Sequence, residues 1–390
     1  REPRWRWTMA TITLDWFHLL MLLAAVQGLI LAGVLALRQR NRTANRILAV
    51  AMLAFTVYLA TSVYHAAHLE PVFPHFFGLA HPTPFLFGPL IYLYAVTASD
   101  HSRRFTRLDW LHFVPAALAV VGALPVYLLS GPAKLAWYEH AVQTGEVGWT
   151  VMVFTPLKLI SGITYTVITL LFLRRHRARI KDNYSSLERV NLQWLWWLAT
   201  AAAVVWVVAV VVNLIQMPEG PTSQRGEDFI ALGTALVIYG IGFMALRQPE
   251  IFRFDTAEHV AALPEPRYER SGLSERESAA LKSALLSTME RDQPWKNKEL
   301  TLADLAERLS TTPHKLSEVL NSQLEQTFYD FVNGYRVRYV QNRIGDEAVK
   351  HLKILALALD AGFASKSTFN DVFKKHTGRT PSDYRRSVAV

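Results

Sequence analysis

Apolar residues run almost without interruption through seven stretches of the chain: 14–37, 47–65, 76–98, 108–130, 149–173, 192–217 and 228–246. Each approaches or exceeds the roughly 20 residues that cross a bilayer as a helix. A helix packed in a soluble core shows polar side chains at every turn, and these stretches mostly do not. The pattern predicts a seven-span helical bundle over 14–246. Past residue 273 it changes to short amphipathic periods punctuated by Gly, Pro, Ser and Thr, which predicts an all-α terminal region of small helices.

The loops between the apolar stretches alternate in charge. Residues 38–46 carry Arg38, Arg40, Arg42 and Arg46, and residues 99–109 carry Arg103, Arg104 and Arg107. The 174–191 loop carries Arg174, Arg175, Arg177, Arg179, Lys181 and Arg189. Between them, 66–75 holds no basic residue other than histidine, 131–148 only Lys134 and 218–227 only Arg225. Basic loops stay cytoplasmic, so the expectation is a multi-pass protein of a bacterial inner membrane. Its N-terminus lies outside and its C-terminal region in the cytoplasm. Residues 1–13 form a tail whose Arg1, Arg4 and Arg6 sit on the wrong side for this rule, and Met9 is a candidate start. No cleavable signal pattern is present, so the first span is expected to remain.

The chain has no cysteine. Disulfides, cysteine-ligated zinc and thiol redox sensing are therefore excluded. Its net charge of +9 is spread along the sequence, and 271–390 is only mildly basic. Residues 247–273, with Pro249, Pro264 and Pro266, read as a juxtamembrane linker able to reach roughly 80 Å when extended. The segment 274–298 follows. Ser274 and Glu277 form a capping box for a helix over about 276–291, with Leu281, Leu285 and Met289 on one face. That face suits packing on the neighbouring domain; a dimer contact that transmits a signal is the sharper alternative.

In 299–390, Thr301 and Asp304 make another capping-box start, and Leu302, Leu305, Ala306 and Leu309 supply a buried stripe. Ser310 to Thr312 turn the chain, and Pro313 fits the first position of the next helix. There Leu316, Val319 and Leu320 point inward, leaving His314, Lys315, Ser317, Glu318 and Asn321 outward. A longer helix is predicted over 327–344, with Phe328, Phe331, Val332, Tyr335, Tyr339 and Val340 at helical spacing. A second pair comes from 354–360, Gly362 as its terminator, and a helix from about Ser365. Its inner face takes Phe369, Val372, Phe373 and His376; its outer face takes Lys366, Ser367, Asn370, Asp371 and Lys374. Gly378 and Pro381 close it.

Helix, tight turn, helix with a polar outer face is how a helix-turn-helix appears in sequence. The run AGFASKSTFNDVFKKHTGRTPSDYRR at 361–386 also resembles, nearly letter for letter, the second helix-turn-helix of AraC-type (AraC/XylS) transcription regulators. The segments 313–317 (PHKLS) and 328–333 (FYDFVN) share that resemblance. So, more moderately, do 85–94 (FLFGPLIYLY) and 110–115 (WLHFVP), which are similar to the membrane part of polytopic members of the family. The resemblance implies two helix-turn-helix modules joined by the 327–344 helix and spaced to enter adjacent major-groove turns, about 34 Å apart. It also implies a one-component regulator, with no enzymatic activity, that couples a signal at the membrane to promoter binding. Gly345 departs from the family, which usually has leucine there, and is expected to end the joining helix or loosen its packing.

The implied partners are double-stranded DNA, the lipid bilayer and an unidentified small-molecule or envelope signal, with a homodimer as the candidate assembly. The candidate DNA-contacting residues are His314, Lys315, Ser317, Glu318 and Asn321 in the first module, and Lys366, Ser367, Asn370, Asp371, Lys374, Lys375 and Arg379 in the second. Lysine and arginine suit phosphates, which orient without reading sequence. An acid such as Glu318 or Asp371 repels phosphates but can accept from a cytosine amino group. Solvated surface is an equally good reading of any one of these charges.

Three features compete for the input. His65, His68, Glu70, His75 and His81 gather around one outward loop, and His65 and His68 would share a helix face. Imidazoles with a carboxylate suit a divalent metal or a proton sensor. The irregular spacing favours interfacial histidines, so no metal and no cofactor is assigned. Lys158 lies about ten residues into the fifth span, where an ammonium marks a pathway, an ion pair or an anionic ligand; Asp15, Glu227 and Asp228 are candidate partners. Snorkelling is the plainer alternative. Pro82, Pro84, Gly88 and Pro89 break the third span, and Trp194, Trp196 and Trp197 read as an interfacial anchor.

Two other classes compete for the whole chain. A metal-dependent membrane hydrolase would need histidines paired with acids, and no HExxH, GxSxG, Walker or GxGxxG pattern backs the one close pair. A transporter with a regulatory tail predicts related halves in the membrane part, and none are visible.

Overall fold

A computed structural model describes residues 15–39, 41–100, 103, 105–144, 148–187, 193–216, 225–247, 273–346 and 351–388. The linker 247–273 and residues 1–13 thus fall almost wholly outside the described residues. Among those described the fold is all-helical, with one isolated antiparallel bridge between Tyr184 and Thr301 and no strand. The chain divides into two compact units. The first takes residues 1–173 and 192–257, and the second takes 174–191 and 258–390.

In the first unit the helices are α1 (Trp16–Leu37), α2 (Arg42–Ala66), α3 (Pro84–Ser99) and α4 (Val114–Tyr127), the last preceded by a 3-10 helix over Arg107–Phe113. They continue as α5 (Gly131–Thr144), α6 (Trp149–Asn183), whose residues from Arg174 onward belong to the second unit, α7 (Gln193–Gln216) and α8 (Arg225–Arg247). Each of the seven apolar stretches contains a helix, but 77–83 of the third stretch is turn and its helix starts only at Pro84. Among the described residues five helical segments are long and apolar enough to cross a membrane: Trp16–Leu37, Arg42–Ala66, Arg107–Tyr127, Trp149–Asn183 and Trp194–Val212. Pro84–Ser99 and Ile230–Met244 are apolar but shorter. α3 is short because Pro84 stands at its start, with Pro89 inside it. Small residues line the meeting of α1, α2 and α8, with Ala24, Ala25, Ala32, Ala44, Ala51, Ala231 and Ala235 all buried. They let apolar helices approach closely without a polar driving force. The opposite faces expose Leu23, Leu29, Ile30, Leu118, Val121, Ile160, Val204 and Val207, among others. Helices apolar on both faces match a lipid surround better than water.

Two loops differ from expectation. The outward loop 131–148 contains α5, a helix too weakly apolar to be told from a loop by hydropathy. The basic loop 174–191 begins as helix: α6 runs unbroken through Arg174, Arg175, Arg177 and Arg179 to Asn183. Arginine and lysine are good helix formers, so charge density ends the apolar run but not the helix.

The second unit holds α9 (Glu275–Arg291), a 3-10 turn (Pro294–Lys296), α10 (Leu302–Arg308), α11 (Pro313–Gln323), α12 (Phe328–Ile344), α13 (Ile354–Asp360), α14 (Lys366–Thr377) and α15 (Pro381–Val388). Two apolar cores form. One joins Leu285, Met289, Trp295, Leu305, Leu316, Leu320 and Phe331; the other joins Val337, Val340, Leu357, Phe363, Phe369 and Phe373. α12 contributes to both, which ties the two helix pairs together. α9 packs on α11, with Leu285 and Met289 fully buried and Leu281 half-buried. Its apolar face is therefore used within its own domain. Gly345 stands at the C-cap of α12, as its helix-ending character implies.

Candidate nucleic-acid interface

The first helix pair is built from local signals. Thr301 accepts from the Asp304 backbone while Asp304 reaches back to the Thr301 backbone, so two orphan donors at the start of α10 are satisfied reciprocally. Ser310 takes a left-handed conformation, φ +52°, and Thr312 caps α11 by accepting from Lys315 N. Leu316, Val319 and Leu320 are buried. His314 and Asn321 are exposed and Lys315, Ser317 and Glu318 half-buried, so all five candidate residues lie off the buried face. Asn321 Nδ2 donates to Ser317 Oγ at 3.3 Å, one turn back on the same helix.

In the second pair, α13 ends in a turn through Gly362, φ +87°. A side chain there would meet the backbone oxygens of Trp295 and Lys296 at 2.6 and 2.7 Å, so both conformation and space require glycine. Ser365 caps α14, and Gly378, φ +73°, ends it. Phe369, Val372 and Phe373 are buried, while Lys366, Ser367, Asn370, Asp371, Lys374, Lys375 and Arg379 are all exposed. His376 does not join the inner face as expected. It is exposed, although its ring lies beside Gly334 of α12. Lys375 is not free either: its Nζ donates to Asp330 Oδ1 on α12.

The expected input residues do not converge. α2 ends at Ala66, and His68 lies beyond it with φ +49°, so His65 and His68 share no helix face. His65 instead pairs with the buried Glu70 at 2.7 Å. His75 sits in a separate 3-10 turn, and His81 packs edge-on to Phe154. Among the described residues no three His, Cys, Asp or Glu side chains gather as a metal site. Lys158 is half-buried in α6, with no ion pair among the described residues; Asp15 accepts from His18 instead. Trp194 is not an anchor but a buried contact of Tyr94; of the three tryptophans only Trp197 is largely exposed. The two motifs at 85–94 and 110–115 do meet, through His112, which stacks edge-on to Tyr92 and bonds Tyr165 at 2.7 Å. A cavity of about 60 Å³ lies nearby, lined by apolar side chains with Tyr165, Thr166, Thr169 and Thr234.

Comparison with known proteins separates the two units. A family described as "Helix-turn-helix domain" matches residues 305–387, from within α10 to α15. The melibiose operon regulatory protein of Escherichia coli K12 is 29% identical over 87 residues, 22% of this chain and 28% of that protein. "Probable transcription factor PqrA" of Proteus vulgaris is 39% identical over 69 residues, 16% of this chain and 57% of that protein.

The C-terminal region is an AraC-type helix-turn-helix domain.

The chain covers less than two thirds of the length of either relative. No solved structure matches the chain. One residue of the domain escaped the sequence reading: Arg336, buried in α12. Its signal was its place on the apolar stripe, one turn from both Val332 and Val340, where a charge needs a dedicated partner.

Proposed function

We propose that this protein is a membrane-embedded one-component transcription regulator, with two helix-turn-helix modules reading DNA through α11 and α14. What carries this reading is the joining, in one chain, of an AraC-type domain whose two outer helix faces are polar with a unit built from apolar helices. Lys366, Lys374 and Arg379 would hold phosphates, while Asn321 and Asn370 would meet base edges; asparagine can pair bidentately with adenine. The seven-span topology, N-terminus outside, rests on the alternation of basic and base-poor loops. It puts the DNA-binding domain on the side where DNA is. The input is an unidentified signal received by the helical bundle, and it can act only through unequal affinity for two arrangements of the protein.

Full-length protein in lipid nanodiscs, incubated with sheared genomic DNA in modest salt, tests the output. Recovery of a few sequences over competitor supports the reading, whereas a flat profile would leave the domain as a protein-interaction module. Alkaline extraction of membranes tests the anchor, and release of the chain into the soluble fraction would remove it.

A further inference from the structure

Arg336 is 1% exposed, and each of the five N–H donors of its guanidinium has an acceptor. Nε donates to Trp295 O at 2.8 Å. Nη1 donates to Asn333 Oδ1 and to Ser185 O, both at 3.1 Å. Nη2 donates to Asn297 O at 2.8 Å and to Ser185 Oγ at 3.2 Å. Two of the five acceptors thus belong to a residue 151 positions earlier in the chain, just beyond the end of α6.

The rest of that segment is seated as well. Ser185, 1% exposed, donates from its backbone N and its Oγ to Leu300 O, at 3.3 and 2.7 Å. Asn333 Nδ2 donates to Ser185 O at 3.2 Å. Tyr184 forms the antiparallel bridge with Thr301, the residue that caps α10. Leu187 packs against the second apolar core. Residues 184–187 therefore touch the first helix pair at its starting cap, the shared helix α12 at Arg336 and Asn333, and the core of the second pair.

The energetics favour a reversible contact. None of the five acceptors is a carboxylate, so the charge is held by dipoles and by the face of the Phe363 ring, and burial drags the guanidinium pKa down to about 10. Withdrawing 184–187 would leave two guanidinium donors without acceptors, which is costly while they stay buried. It would also admit water to a charge whose desolvation opposes docking. The two effects act in opposite directions, so the net hold on the segment is smaller than its number of hydrogen bonds suggests.

We propose that Asn333 and Arg336 form a receiving site for residues 184–187, and that docking and release of this segment is the contact through which α6 sets the mutual arrangement of the two helix pairs. The purpose of the device rests on the membrane-regulator reading, but its test uses no DNA.

The chain's lack of cysteine makes the test direct. In full-length protein in nanodiscs, the Tyr184→Cys/Thr301→Cys pair should cross-link under mild oxidation about tenfold faster than the same variant unfolded in urea, because a bridged pair is within disulfide reach. Equal rates would overturn the docked state. Nitroxides placed through Asn321→Cys and Lys374→Cys then report the separation of α11 and α14. Adding Ser185→Trp, which cannot fit the notch, should shift or broaden that distance distribution. Where this variant loses helicity, Ser185→Gly, which removes the hydroxyl without adding bulk, is read in its place. An unchanged distribution would overturn the coupling. Failure to select genomic sequences would count against DNA reading and leave both of these measurements intact.

Discussion

Lys375 Nζ, near the end of α14, donates to Asp330 Oδ1 in the first turn of α12 at 2.6 Å. A lysine that composition assigns to phosphate is held by the helix behind it. Burial pushes the Asp330 carboxyl up, but the bonds and charge of Lys375 and the hydroxyl of Thr327 outweigh it and leave the group below the ordinary carboxylate range. A depressed carboxylate contributes stability that is present above its unfolded value and lost as pH falls through the folded one. Unfolding of the native protein should therefore ease on acidification below the usual Asp range. Asp330→Asn and Lys375→Ala should flatten that part of the profile. The pair is partly solvated, so each variant should cost under about 1 kcal/mol at neutral pH in chemical denaturation.

The same tie separates the lysines of α14 in DNA binding. Lys374→Ala should weaken retention of all fragments and reduce the salt slope by about 1. Lys375→Ala should change the slope less. Asn370→Ala should instead broaden the set of sequences recovered with little change in slope. Sequencing retained DNA at two salt concentrations distinguishes the three, and a slope change confined to Asn370→Ala would mean that the recognition face is rotated from the one assigned.

The two left-handed glycines of the second module predict an order of damage. Gly378 has open space around it, so Gly378→Ala carries only the conformational penalty, about 1–2 kcal/mol. Gly362→Ala adds a collision with the Trp295 and Lys296 carbonyls, the first of which also accepts from Arg336. Its melting temperature should fall further than that of Gly378→Ala, measured by circular dichroism on full-length protein.

In the apolar unit, a Cβ at Gly162 of α6 would lie 2.2 Å from the Trp206 ring of α7, whereas Gly240 of α8 meets nothing within 4 Å. Gly162→Val should lower thermal stability in detergent by about 1–3 kcal/mol equivalent through overpacking. Gly240→Ala should be close to neutral. Equal effects would show that α6 and α7 do not pack there.

What could be read in the sequence was what is locally encoded. Thr301 with Asp304, Ser274 with Glu277, Pro313, Ser365 and Gly378 are signals that act within one turn, and each stands where the pattern placed it. The seven apolar stretches likewise reported helices, since length and hydropathy suffice. Contacts between distant positions could not be read this way. Lys375 with Asp330 is 45 residues apart and Ser185 with Arg336 is 151, and neither spacing leaves a periodic trace. His68 was misplaced for a different reason: periodicity marks a helix's course but not the turn at which it ends, and Ala67 begins the departure.

The bonds between Ser185 and Arg336 also bear on where the terminal domain ends as a physical part. The helix-turn-helix family match spans residues 305–387, yet acceptors that complete the buried guanidinium lie at 295, 297 and 185. A recombination event that moved 305–387 as a cassette would leave its recipient with an arginine missing most of its acceptors. By its hydrogen bonds, the folding unit of the output domain is longer than its family match: it takes in 295–297 and the residues just after α6.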